Sequence, residues 1–220
     1  SAQRNIHYLR LSVTDLCNLR CRYCMPDGVE KLEREAVLTY EEFLRLAALF
    51  ARCGVDTVRV TGGEPLVRRD CPQLVRMLKN VPGIEKVTLT TNGVLLEQYL
   101  GELLNAGLDA VNISLDTLDP VKYTAITGFD QLPKVLDGIR AMETHGVPVK
   151  INAVLQRGVN DMECIALTEL AEAHPVDVRF IELMPIGHGK EMKPVSNPEV
   201  VAQLRSHYGA DRVTPDFHTH

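Results

Sequence analysis

The sequence predicts an α/β fold, a partial (β/α)6 barrel, on three observations. Six short β-branched runs alternate with amphipathic segments along the chain. Each run ends on a polar tip. A cation interrupts four of the runs, where a parallel strand buried on both faces would read as continuous Val, Ile and Leu.

The first run, 6–13, ends at Thr14-Asp15. Thr39 and Glu42 then form a capping box ahead of Phe43, Leu44 and Leu46, and Gly54 closes that helix. Run 57–61 leads into Gly62-Gly63-Glu64-Pro65, after which Cys71 begins a second helix. Run 86–91 ends at Asn92-Gly93 and precedes a helix over 95–106. Run 110–115 ends at Asp116. Asp119-Pro120 and Asn197-Pro198 each place a cap before a proline at the first helical position. Runs 149–155 and 178–183 end at Gln156 and Met184, with helices over 132–145 and 161–173. Parallel strands put all their C-terminal ends at one face, so six polar tips converge on one site. An open doubly wound sheet is the competing architecture.

At 220 residues, 45% hydrophobic and 24% charged, the chain has the balance of a globular domain. That excludes a disordered tail and a disulfide-dense mini-protein. A net charge of −5 argues against a general nucleic-acid binder. No apolar run approaches the roughly 20 residues of a membrane span, and no signal peptide opens the chain. The expectation is a cytoplasmic protein without nucleic-acid or membrane partners.

Three of the six cysteines fall within eight residues, Cys17-Asn18-Leu19-Arg20-Cys21-Arg22-Tyr23-Cys24. Cys53, Cys71 and Cys164 stand alone and read as small apolar residues at helices; Phe50, Phe129 and Tyr208 read as packing. Thiolates suit zinc and iron–sulfur clusters. A closed zinc site takes four ligands, normally as two separated pairs, and there is no second pair here. Three thiolates on a four-iron cubane leave one iron open. A zinc-stabilised, non-enzymatic nucleotide-binding domain and a simple redox carrier remain as other readings.

This CxxxCxxC motif with Tyr23 before its last cysteine, followed by Gly62-Gly63-Glu64-Pro65 on the second strand, resembles the radical S-adenosylmethionine (SAM) superfamily. The resemblance implies a [4Fe–4S] cluster whose open iron binds SAM, and an electron donor that drives formation of a 5′-deoxyadenosyl radical. Within the superfamily, YLRLSVTDLCN (8–18), VRVTGGEPL (58–66), LTTNG (89–93), VNISLD (111–116) and RFIELM (179–184) resemble the MoaA family. Its members are lyases, GTP 3′,8-cyclases of molybdenum-cofactor biosynthesis. Carried over, Cys17, Cys21 and Cys24 hold the cluster. Tyr23, Gly63, Ser114 and Met184 line SAM, and Arg10, Arg59, Thr90, Lys150 and Arg179 contact GTP. No catalytic acid or base is assigned, and a homodimer is compatible with the resemblance. That family carries a second cysteine trio in a C-terminal segment, yet no cysteine follows Cys164. Residues 1–220 therefore read as the core domain with that segment missing. A single-cluster relative acting on another substrate is the alternative.

The strand cations carry weight of their own. Strand alternation sets Arg10 opposite in facing to Leu9 and Leu11, and Arg59 opposite to Val58 and Val60. The expectation is that Arg10, Arg59, Lys150 and Arg179 lie buried in the barrel interior, where unpaired charge costs several kcal/mol. Glu182 and Asp116 could pair with one or two of them. The surplus fits a triphosphate.

Overall fold

The computed structural model describes residues 6–28, 36–185 and 187–214. Its six strands are β1 (Tyr8–Ser12), β2 (Thr57–Thr61), β3 (Lys86–Thr91), β4 (Ala110–Ser114), β5 (Val149–Leu155) and β6 (Val176–Glu182). They form one sheet in the order β1-β2-β3-β4-β5-β6. Every neighbouring pair is parallel. Strand order never reverses. A doubly wound sheet needs a reversal, so the barrel alternative prevails.

The intervening helices are α1 (Tyr40–Arg52), α2 (Cys71–Lys79), α3 (Leu96–Ala106), α4 (Pro120–Thr127), α5 (Leu132–Thr144), α6 (Cys164–Ala173) and α7 (Asn197–Tyr208). Helix α1 packs on α2, α2 on α3 and α3 on α5, along one face of the sheet. Between that layer and the strands lies the core. Leu11, Val58, Val60, Val87, Leu89, Val111, Ile113 and Ile151 from the sheet meet Phe43, Leu74, Leu103, Val135 and Met142 from the helices. A smaller cluster around Leu155, Cys164, Val195 and Val200 seals α6 and α7.

The other face stays open and curves. Arg59 on β2 feels the charges of both Arg10 on β1 and Arg179 on β6. In a flat sheet with strands about 4.8 Å apart, β2 and β6 would stand roughly 19 Å from one another. A curled sheet brings β6 round toward β2 and shortens that separation. The sheet is an incomplete barrel.

Several local expectations need correction. Strand β1 is shorter than 6–13, and β6 begins two residues before 178. Residues 161–163 form a turn, with α6 starting at Cys164. The cap of α7 is Ser196, not Asn197: its backbone N–H and hydroxyl donate to Glu199 Oε2 at 3.0 and 2.8 Å. Phe50 and Phe129 are not core residues: they are 42% and 43% exposed. Cys53 is an exposed C-cap residue of α1. Thr39 and Asp119 do cap α1 and α4, as their spacing predicts.

Candidate functional site

The loop after β1 carries the three cysteines, and the two glycines after β2 hold it in place. Gly63 N donates to Thr14 O at 2.7 Å, and Glu64 N donates to Leu16 O at 2.8 Å. A Cβ on Gly63 would lie 2.4 Å from Leu16 O and 2.6 Å from Asp15 O. Gly62, at φ +158, would put one 2.5 Å from Thr14 O. The close approach of two backbones therefore demands Gly-Gly.

Further along, the loop pairs with the end of α4. Arg20 N donates to Thr127 O and Arg22 N to Ile126 O, both at 2.9 Å. The Arg20 guanidinium folds back onto Cys17 O at 2.8 Å and Leu19 O at 2.7 Å. A tight turn then sets Cys24 N 2.9 Å from Cys21 O. All three cysteines thus lie at the C-terminal ends of the strands.

Burial pushes the Cys21 thiol up to about 12, helped by the nearby Asp116 carboxylate. Desolvation raises Cys17 and Cys24 as well. Left to the protein, all three are neutral thiols, and a bound cation must supply the field that ionises them. Among the described residues no three His, Cys, Asp or Glu side chains converge on a single ion. The donors present, three thiols from one loop, fit a polynuclear iron–sulfur group.

Beside them lies a small cavity of about 30 Å³, lined by Cys21, Tyr23, Asn92, Ser114, Asp116 and Tyr123 among others. Tyr23 Oη donates to Asp116 Oδ2 at 2.8 Å, while Val154 N donates to Asp116 Oδ1 at 2.8 Å. Burial lifts the Asp116 carboxyl to about 6 against the pull of these two donors. Of the residues predicted for SAM, Tyr23 and Ser114 meet Cys21 in this cavity. Gly63 instead packs beneath the cysteine loop, and Met184 is 62% exposed after β6.

The strand cations share the concave face in two registered rows. Arg10 lies opposite Arg59, which lies opposite Thr88. Thr90, Asn112, Lys150 and Asp177 align across β3 to β6, with Asn152 and Arg179 in register two residues further on. The expected burial is not found. Arg10 and Arg179 are exposed, and Arg59 and Lys150 are half-buried, because the incomplete barrel leaves this wall open. The expected carboxylate partners are also different. Asp116 takes Tyr23 and Val154, and Glu182 accepts Asn197 N at 2.6 Å. Lys150 pairs instead with Asp177 at 2.9 Å. Arg59 stacks 5.0 Å from the centroid of Tyr8, its Nε 3.4 Å from Thr88 Oγ1. Among the described residues Arg10, Arg59 and Arg179 have no carboxylate within ion-pair distance. Thr90 Oγ1 is buried on this wall without a hydrogen-bond partner.

Sequence reasoning assigned no role to Glu64, Asn92 or Asp177. Glu64 is fully buried and accepts from Leu66 N, Thr91 Oγ1 and Asn92 N, tying β2 to β3 beneath the loop. Its signal was its place in the Gly-Gly-Glu-Pro tip. Asp177 gave none, since its role depends on register with Lys150.

The known proteins that this chain resembles agree with one another. The Radical SAM superfamily profile matches residues 11–171. A GTP 3′,8-cyclase of Syntrophomonas wolfei is 49% identical over 187 residues, 84% of this chain and 57% of that protein. One from Heliobacterium modesticaldum is 52% identical over 188 residues, 84% of this chain and 58% of that protein. Molybdenum cofactor biosynthesis protein 1 of Bos taurus is 46% identical over 209 residues, 93% of this chain and 33% of that protein. The chain thus spans about three-fifths of the length of the bacterial relatives. Among solved structures, Streptococcus suis SuiB bound to S-adenosylmethionine superposes with a TM-score of 0.73 at 21% identity, covering 94% of this chain and 47% of SuiB. Methylornithine synthase does so at 0.67 and 15% identity, covering 93% of this chain and 64% of that one. These two likenesses establish the fold, a partial barrel of parallel strands. With a three-cysteine loop at the strand ends and the profile match across most of its length, the chain belongs to the radical SAM superfamily, whose cofactors are a [4Fe–4S] cluster and SAM.

Proposed function

We propose that residues 1–220 form the SAM-cleaving core domain of a GTP 3′,8-cyclase, acting in the first step of molybdenum-cofactor biosynthesis. The observation that carries the substrate reading is the concave wall. Three arginines without carboxylate partners and an orphaned threonine hydroxyl sit there, on strands whose C-terminal ends carry the cysteine loop. Water solvates these cations in the free protein, but no carboxylate competes for the three guanidinium groups, and such groups bind phosphate oxygens bidentately. The identity to known GTP 3′,8-cyclases supports GTP as that anion.

In this reading Cys17, Cys21 and Cys24 hold the cluster. Tyr23, Gly63, Ser114 and Met184 surround SAM. Arg10, Arg59, Thr90, Lys150 and Arg179 take the GTP. When bound, the cluster and SAM would supply radical chemistry, drawing one electron from an external donor. The protein's part is to position and to exclude water. Tyr23 and Asp116 brace the cavity wall, Gly63 lets the loop pack onto β2, and the arginines neutralise the triphosphate. An electron donor is the expected partner and the cytoplasm the expected location, and a homodimer is compatible with this reading.

Anaerobic reconstitution followed by product analysis with SAM, dithionite and GTP tests the proposal. These 220 residues should cleave SAM slowly to methionine and 5′-deoxyadenosine. They should bind GTP weakly, and Arg179→Ala should weaken that binding further. Cyclisation demands that the radical reach one ribose hydrogen and not another, and a 1 Å misplacement costs on the order of 100-fold. SAM cleavage should therefore run uncoupled from cyclisation in the core alone. Absence of SAM cleavage from a fully loaded protein would refute the assignment. Robust cyclised product would show that no further segment is needed.

A further inference from the structure

Asn92 follows the last residue of β3 and is held from three sides. Its backbone N–H donates to the buried Glu64 Oε2 at 2.6 Å, and the neighbouring Thr91 Oγ1 donates to Glu64 Oε1 at 2.8 Å. Its side-chain Oδ1 accepts the Val94 N–H at 3.1 Å. That last contact fixes the amide's orientation, because a flipped amide would set its NH2 against another N–H. The Nδ2 group must then face the cysteine loop. There it donates to Asn18 Oδ1 at 2.7 Å and lies 3.8 Å from Cys17 Sγ, within reach of a sulfur acceptor. Leu19 N donates to the same sulfur at 3.4 Å.

As the free thiol, Cys17 directs its S–H toward Asn18 Oδ1, 4.0 Å away. As a ligand thiolate it has no proton to give and can only accept. The Asn92 and Leu19 N–H groups are already aimed at it. Hydrogen bonds to ligand sulfurs lower the cost of added negative charge, and they are among the factors that set iron–sulfur potentials. We infer that Asn92 is a positioning residue that sets the cluster's reduction potential through Cys17 Sγ, making the cluster easier to reduce than the loop alone would. The inference rests on the assignment of Cys17 as a ligand. Glu64 acts one step further out, by holding the β3 tip at the depth where the amide meets the sulfur.

The test is the midpoint potential of the reconstituted cluster, measured by EPR-monitored titration without SAM, with iron counted in every sample. Asn92→Leu keeps the number and branching of side-chain heavy atoms and removes the donor. It should retain its iron and be harder to reduce. A tenfold smaller ratio of reduced to oxidised cluster at fixed potential corresponds to a midpoint about 59 mV more negative for one electron. Asn92→Ser, whose hydroxyl can still accept Val94 N–H but stops short of Cys17, should shift the midpoint the same way. Asn18→Ala removes the competing acceptor and should leave the midpoint at or above that of wild type. An unchanged midpoint in Asn92→Leu overturns the inference. So does an equal negative shift in Asn18→Ala, which would place the effect in the Asn92–Asn18 pair. Iron loss in both Asn92 variants overturns it too, making Asn92 a scaffold of the loop. Cys17→Ser tests the underlying reading separately: full iron retention there would remove Cys17 from the ligand set.

Discussion

Glu64 carries a pH dependence that follows from its burial. Desolvation lifts its carboxyl from 4.5 to about 7, against three donors that pull it down. A carboxyl raised in the folded state binds more protons folded than unfolded between those values. Its contribution is therefore largest below about pH 4.5 and is lost as pH rises through about 7, a swing on the order of 3 kcal/mol. Denaturant midpoints of the cluster-free protein should fall between pH 5 and 8, and Glu64→Gln should flatten that slope. An equally steep slope in the variant would assign the dependence to another group, such as Asp116. Asp177 makes a second prediction at this scale. It neutralises Lys150 on a wall otherwise short of carboxylates, and it would repel an incoming triphosphate. A partly exposed ion pair contributes only about 0–1 kcal/mol, so its loss is small beside the repulsion relieved. Asp177→Asn should tighten binding of inorganic triphosphate several-fold at low salt, read by calorimetry, with the gain shrinking as salt is added. Weaker binding would mean that Asp177 aligns Lys150 for the ligand.

The cysteine loop and the Gly-Gly tip form one unit. Residues 14–16 and Gly62-Gly63 approach so closely that a single methyl group at Gly63 would overlap two backbone carbonyls. Backbone cannot yield as a side-chain end can. Gly63→Ala should therefore displace the loop, and iron incorporation should fall by more than half while far-UV circular dichroism of the helices stays the same. Normal iron content would show that the loop can shift without losing its cysteines. Helix α4 restrains the loop from its other side through Thr127 O and Ile126 O. Its own start is fastened by Lys122 to Glu163, which also accepts from Thr117 Oγ1 at 2.7 Å.

For the molecule as a whole, the sequential strand order sends every C-terminal tip to one rim. It also leaves the concave wall open between β1 and β6. The proposed cluster site and the proposed anion site would thereby be stacked in one curved sheet. Three cysteines lie on the rim, while Cys71 and Cys164 are buried in the core clusters and Cys53 is exposed outside both. Cys21→Ser should lose most of the iron and sulfide on reconstitution, and Cys53→Ser should keep both. Equal loss in the two would detach the cluster from the loop.

Six β-branched runs and their polar tips were enough to predict parallel strands with a site at one rim, because strand period and strand-end chemistry are local properties of the chain. The Thr39 and Asp119 caps were legible for the same reason. Cys17, Cys21 and Cys24 were legible as neighbours because one loop carries all three. The partners of the charged side chains were not. Lys150 meets Asp177 only through the register of β5 with β6, and Arg59 meets the field of Arg179 only because the sheet curls. The openness of the wall, which leaves Arg10 and Arg179 exposed, depends on six strands stopping short of closure. Asn92 reads in sequence as half of an Asn-Gly turn. Its amide reaches Cys17 across 75 residues only because Glu64 anchors the β3 tip beside the loop. Local spacing determines which elements form and which side chains share a face. Contacts between distant residues are decided by packing, and in this chain packing decides what surrounds the cysteines.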